Sequence, residues 1–246
     1  MKNTFLLFLF FVGSTFGAQA QAPDYDDLLI YFADGDYEKL VDKAQKYKDG
    51  DDTKNDALPY LYASKAYYEM SKDQMYKDDF PKAFNDAIGD AGKAVKKDKD
   101  GSVYGDNISF FTELKSAVIE EIRNMVDAGD YNRLRGTVMK LQKLDPTDVG
   151  SYFLLTACQL QIKDKTGAKL TLKEAQERLD AIESVDGWRP VDFEMLRMGI
   201  YEYAAFLHSA RQCDKAKEIM NQVKQWFEED EIFMAKYDEI VNSPCS

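Results

Sequence analysis

The sequence predicts an all-α chain, with about five antiparallel helix pairs stacked into a curved α-solenoid and a short helix at the C-terminal end. Three observations lead there. Apolar residues recur at three- and four-residue steps in one segment after another. Gly, Asp and Pro fall between those segments where helices stop and start. No segment carries sustained period-two alternation, so almost no strand is expected.

The first element is of a different kind. Lys2 supplies a positive start, Phe5 to Val12 is an unbroken apolar run, and Ala18-Gln19-Ala20 offers small residues for cleavage. That order is that of a secretory signal peptide. The run is well short of the roughly 20 apolar residues that a membrane-spanning helix needs. Residues 1–20 are therefore expected to be cleaved, leaving 21–246 as the solenoid domain, exported and with no transmembrane segment. No cysteine lies near the cleavage site, so no lipid anchor is expected.

The helix pairs follow at 24–48, 57–97, 108–144, 149–185 and 191–228, with the last helix at 230–242. In the first pair, "ADGDYEKLVDKAQKY" carries Gly-Asp-Tyr at 35–37. In the second, "LPYLYASKAYYEM" is a tyrosine-rich first helix, followed by an enlarged turn at 71–79. The third pair is the clearest. Phe111, Leu114, Val118, Ile122 and Met125 form one stripe, and Leu134, Val138, Leu141 and Leu144 form the next. Gly129 between them suits the φ > 0 conformation that ends a helix, Asp130 can cap the following one, and Pro146 stops it. The fourth pair contains "SYFLLTACQLQIKDK", in which Cys158 reads as a small core residue, and the fifth pair ends before "WFEEDEIF".

Parts of this series repeat. Gly-Asp-Tyr at 35–37 returns at 129–131, 94 residues on, and "PYLYASKAYYEMSKD" corresponds to "SYFLLTACQLQIKDK" 92 residues on. A shared order of elements at nearly constant offset points to internal duplication. The units resemble the tetratricopeptide repeat (TPR), a helix–turn–helix unit. Gly129, Tyr131, Leu134, Val138, Leu141 and Pro146 match its second-helix spacing, and Gly35, Tyr37, Leu40, Ala44 and Tyr47 keep that spacing without the closing Pro. Tyr60, Ala63, Ser64 and Tyr67 resemble its first-helix pattern. Starts of successive pairs lie 33, 51, 41 and 42 residues apart, mostly longer than the roughly 34-residue standard. The resemblance implies a non-catalytic scaffold whose first helices line a concave face that holds a protein or peptide. Tyr62 and Tyr68 are the candidate partner-binding residues, since they lie off the Tyr60/Tyr67 packing face; the competing reading is that their rings also pack.

Composition limits what else the chain does. The net charge is −12, and loss of Lys2 with the signal makes it −13. Such a surface repels phosphate backbones and argues against nucleic acid, while favouring partners with exposed Lys or Arg. Three cysteines are too few for a disulfide framework; Cys213 and Cys245 can pair and staple the C-terminal tail, with two free thiols as the alternative. His208 is the only histidine and reads as a helix-end residue, with no strained nucleophile turn nearby. One His and three scattered Cys give no metal-ligand pair, and no glycine-rich phosphate loop is present. Asp98, Asp100, Gly101 and Val103 fit the middle of a calcium loop, but Lys96 and Asn107 stand where its end ligands belong; a solvated loop is expected, with weak calcium contact as the alternative.

No cofactor and no enzymatic activity are therefore expected, and the periplasm is the expected compartment, with secretion as the alternative. The "GAQAQ" end of the signal resembles those of Gram-negative Bacteroidota. Glycan binding or processing, and a structural role in a secretion or outer-membrane assembly complex, stay open beside the scaffold reading.

Overall fold

A computed structural model describes residues 24–244. The expected signal segment at 1–20 and Cys245 lie outside the described residues.

Among the described residues the fold is all-α, without strand. The first two expected pairs are α1 (Asp26–Ala33) with α2 (Tyr37–Asp49), and α3 (Ala57–Lys72) with α4 (Ala83–Lys97). A short α5 (Ser102–Asp106) precedes the third pair, α6 (Ile108–Asp127) and α7 (Tyr131–Leu144). The fourth is α8 (Gly150–Gln161) with α9 (Lys165–Asp180), the fifth α10 (Pro190–Ser209) with α11 (Cys213–Val223), and α12 (Glu231–Val241) closes the series. No helix among these is long and apolar enough to cross a membrane.

The helix boundaries have local causes. Gly129 ends α6 at φ 67°, its N–H donating to the Val126 carbonyl while Asp130 N–H donates to Met125. This paired closure ties off the last carbonyls of the helix. Asp130 then accepts the Arg133 N–H at 3.2 Å and starts α7. The same two bonds recur after α1 at Gly35, after α8 at Lys163 and after α10 at Arg211. Lys163 and Arg211 adopt φ values of 65° and 60°, conformations that favour glycine. Four turns therefore share one backbone form, of which only two carry the glycine that makes it visible in sequence.

Packing runs mostly between chain neighbours, although α4 passes over α5 and α6 to pack on α7. α2 packs on α3, α4 on α7, α7 on α8, and α8 on both α9 and α10. The apolar stripe expected on α6 and α7 is buried throughout. A cluster around Leu28, Leu40, Ala63 and Met70 serves α1 to α4; a central one spans α3 to α8 and takes in Val191 and Met195 of α10; a third joins α8 to α12. Partly buried Leu58 and Tyr67 touch the first two clusters, so apolar contact continues from one into the next.

α8 is buried along nearly its whole length, as expected for a helix apolar on all sides. It crosses α10 backbone against backbone. A Cβ on Gly199 would fall on the Gly150 carbonyl, and one on Gly150 would fall on the Met195 carbonyl. Cys158 faces this interior, its thiol donating to the Tyr131 carbonyl at 3.0 Å, and burial pushes it up to about 11.

Candidate partner-binding face

α1, α3 and α6 are first helices of successive pairs, and they bring a group of aromatic and lysine side chains together. The centre is Lys65 on α3. Its Nζ donates to Asn107 Oδ1 at 2.7 Å, just before α6. The same ammonium lies 5.6, 5.5 and 5.7 Å from the ring centroids of Phe32, Tyr62 and Phe110. Attraction to the electron-rich ring faces holds it there without a carboxylate. Among the described residues Lys65 makes no ion pair, and burial lowers its pKa. An ammonium has three donors; with one engaged by Asn107, two remain for acceptor oxygens of a ligand.

Tyr62 contributes to this face. Its ring is half-buried, 6.5 Å from Phe32 edge-on, and its hydroxyl makes no hydrogen bond among the described residues. Burial, then the charge of Asp26, raises its pKa and keeps the phenol protonated as a donor. Tyr68 behaves differently. It is 7% exposed, packed against Phe84 and Phe110, with Lys72 Nζ 4.3 Å over its ring. Of the two readings open for Tyr68, its surroundings match interhelical packing. Tyr60 and Tyr67 also pack in the core, the role their spacing predicts.

The other candidates fall elsewhere. Asp98 accepts the Tyr104 N–H at 2.7 Å and Asp100 the Ser102 N–H at 3.0 Å, so both carboxylates are occupied in shaping the turn into α5. His208 lies in the last turn of α10, its Nε2 buried without a partner among the described residues. Cys213 is disulfide-bonded; because Cys245 lies outside the described residues, the expected Cys213–Cys245 pairing stays an expectation. No group of three or more His, Cys, Asp or Glu among the described residues is arranged to hold a metal.

A second constellation was not legible in the sequence. Lys115 lies within the apolar stripe of α6 and is 1% exposed. Its Nζ reaches Asp145 at 2.8 Å, Asp148 at 2.6 Å and Asp192 at 2.7 Å. Arg189 forks onto Asp192 through Nε and Nη2, both at 2.8 Å, and reaches Asp145 at 3.1 Å. Burial opposes the charge on Lys115, but the three carboxylates overcome it and hold its pKa well above the lysine range. Burial likewise opposes ionisation of Asp192, yet Arg189 and Lys115 bring it down to about 2. Asp148 is the exception: burial raises its pKa despite Lys115.

Thr147 and Ser151 donate to the remaining carboxylate oxygens of Asp145 and Asp148. A cavity of about 260 Å³ borders this network beside Trp188 and Tyr104. With its lone pairs so engaged, the cluster pins α6, the α7–α8 turn and the start of α10 together. The only sequence signal for it is a lysine where the stripe calls for an apolar residue.

No protein-family model matches the chain, and a search of curated proteins gives no match.

Proposed function

We propose that this chain is a non-catalytic scaffold of the bacterial periplasm, holding a protein or peptide partner on the face built by α1, α3 and α6. The observation that carries this reading is Lys65, ringed by Phe32, Tyr62 and Phe110 with donor capacity unused. A peptide carbonyl or carboxylate oxygen satisfies that ammonium, while Tyr62 stacks on a neighbouring planar or apolar group and donates its phenol. The net charge of −12 draws in partners with basic residues flanking the bound segment and makes the association weaken with salt.

The architecture behind this reading is a TPR-like α-solenoid. Contacts between chain neighbours and four equivalent turns support it, and the turns at Gly129 and Lys163 stand 34 residues apart. A preformed face of stacked helices loses little conformational entropy on binding. Export rests on the signal-like order of Lys2, Phe5–Val12 and Ala18-Gln19-Ala20.

The test is a crosslinked pull-down of the tagged mature chain from its own envelope extract, at low and high salt. One recurrent protein partner is expected, weakened by high salt and lost in the Tyr62→Ala/Lys65→Ala variant. Recovery of the same proteins by variant and parent would contradict the assigned face. Absence of any protein partner under both conditions would favour the glycan reading.

A further inference from the structure

A groove on the other set of helices has a chemistry of its own, and it does not rest on the α1/α3/α6 face. α8 and α10 are drawn together by their Gly150–Gly199 crossing, whereas their partners α9 and α11 do not pack along one another. Gln176 on α9 donates to Gln222 on α11 at 3.2 Å and bridges them at one point. The space between is about 430 Å³, floored by Tyr203 and Leu207 of α10.

Its walls are apolar: Leu170 and Leu172 on one side, Ile219 on the other. Leu170 is 68% exposed, a large apolar side chain left open at the groove. Tyr203 is 6% exposed, and its hydroxyl makes no hydrogen bond among the described residues. The lining therefore combines apolar surface with a phenol that has no partner.

The rim carries charge opposite to that of the chain. Lys165, Lys169 and Lys173 recur every four residues along α9 and so share one face. Lys169, Lys173 and Lys215 line the groove, where Glu218 is the only acid. Among the described residues, only Lys173 of these lysines has an ion pair, with Glu177 at 3.4 Å. In a protein of net charge −12, this concentrates unneutralised cations beside exposed apolar surface.

From Lys169 to Gln176 the wall extends about 10 Å, two turns of helix. We propose that the α9–α11 groove docks an acidic amphipathic helix of a partner protein. The helix lays apolar residues from successive turns between Leu170 and Ile219 and sets Asp or Glu side chains against Lys169, Lys173 and Lys215. Charge complementarity selects this occupant over the basic partners that the rest of the surface attracts.

The test uses fluorescence anisotropy with a labelled Leu/Glu amphipathic peptide of roughly 14 residues. The control is the same peptide with Lys in place of Glu, and decanoate is titrated alongside. The Glu peptide is expected to bind at least about tenfold more tightly than the Lys peptide, and to lose at least about tenfold in affinity with Lys169→Glu/Lys173→Glu. Both substituted side chains are exposed, and thermal unfolding monitored by circular dichroism verifies that the variant is folded. Equal binding of the two peptides, or no effect of the charge reversal, overturns the proposal. So does decanoate binding without peptide binding at concentrations up to about 1 mM, which assigns the groove to a small amphiphile.

Discussion

Lys115 illustrates how much one residue can carry against the pattern around it. A buried ammonium is tolerated because three carboxylates face it, and each carboxylate has further donors. The pH consequences differ among the acids. Asp192 is lowered to about 2 in the fold, against about 3.9 for an ordinary aspartate. Its contribution is present above the unfolded value and is lost as pH falls from about 4 through about 2, on the order of 2 kcal/mol. Asp148 has the opposite sign: its raised pKa favours the protonated form in the fold, a penalty at neutral pH that is relieved as pH falls toward about 3.9, before the Asp192 contribution is lost. Asp192→Asn is therefore expected to lower the urea midpoint at pH ~7 and to converge on the parent as pH approaches about 2. A gap that stays constant over that range would contradict this assignment.

At the scale of the element, the tight turns give the clearest prediction. Lys163 and Arg211 occupy the left-handed position that Gly35 and Gly129 fill elsewhere. Lys163→Gly removes the Cβ strain but adds freedom to the unfolded chain, a net stabilisation of about 0.5–1 kcal/mol. Thermal unfolding should rise by about 1–4 °C, and a fall would mean that the Lys163 side chain contributes more than its backbone strain costs. The same positions explain what the sequence could reveal. Gly129, Asp130 and Pro146 bracket α7 and made the third pair readable to within a residue or two. The turns at 163 and 211 have no glycine, so their equivalence to the others emerges only from their φ angles and hydrogen bonds. Tyr62 was singled out by its spacing from Tyr60 and Tyr67, although in the fold its ring also packs against the α1–α4 cluster. Lys65 was not, since the rings around it come from α1 and α6, distant in sequence. The ionic cluster was hidden for the same reason, with Lys115 and Asp192 separated by 77 residues.

Across the whole molecule, packing by chain neighbours leaves first and second helices free to present different surfaces. The face around Lys65 and Tyr62 offers rings and an ammonium with spare donors; the α9–α11 groove offers apolar walls with a basic rim. Partner binding is proposed at the first of these. Its most direct test is site-specific photocrosslinking in intact cells, with a benzophenone amino acid replacing Tyr62 in one variant and Met139 in another. Met139 is 43% exposed on α7, outside both surfaces, and serves as the control. A discrete protein adduct is expected from position 62 and none from position 139. The same adducts from both positions, or none from position 62, would contradict it.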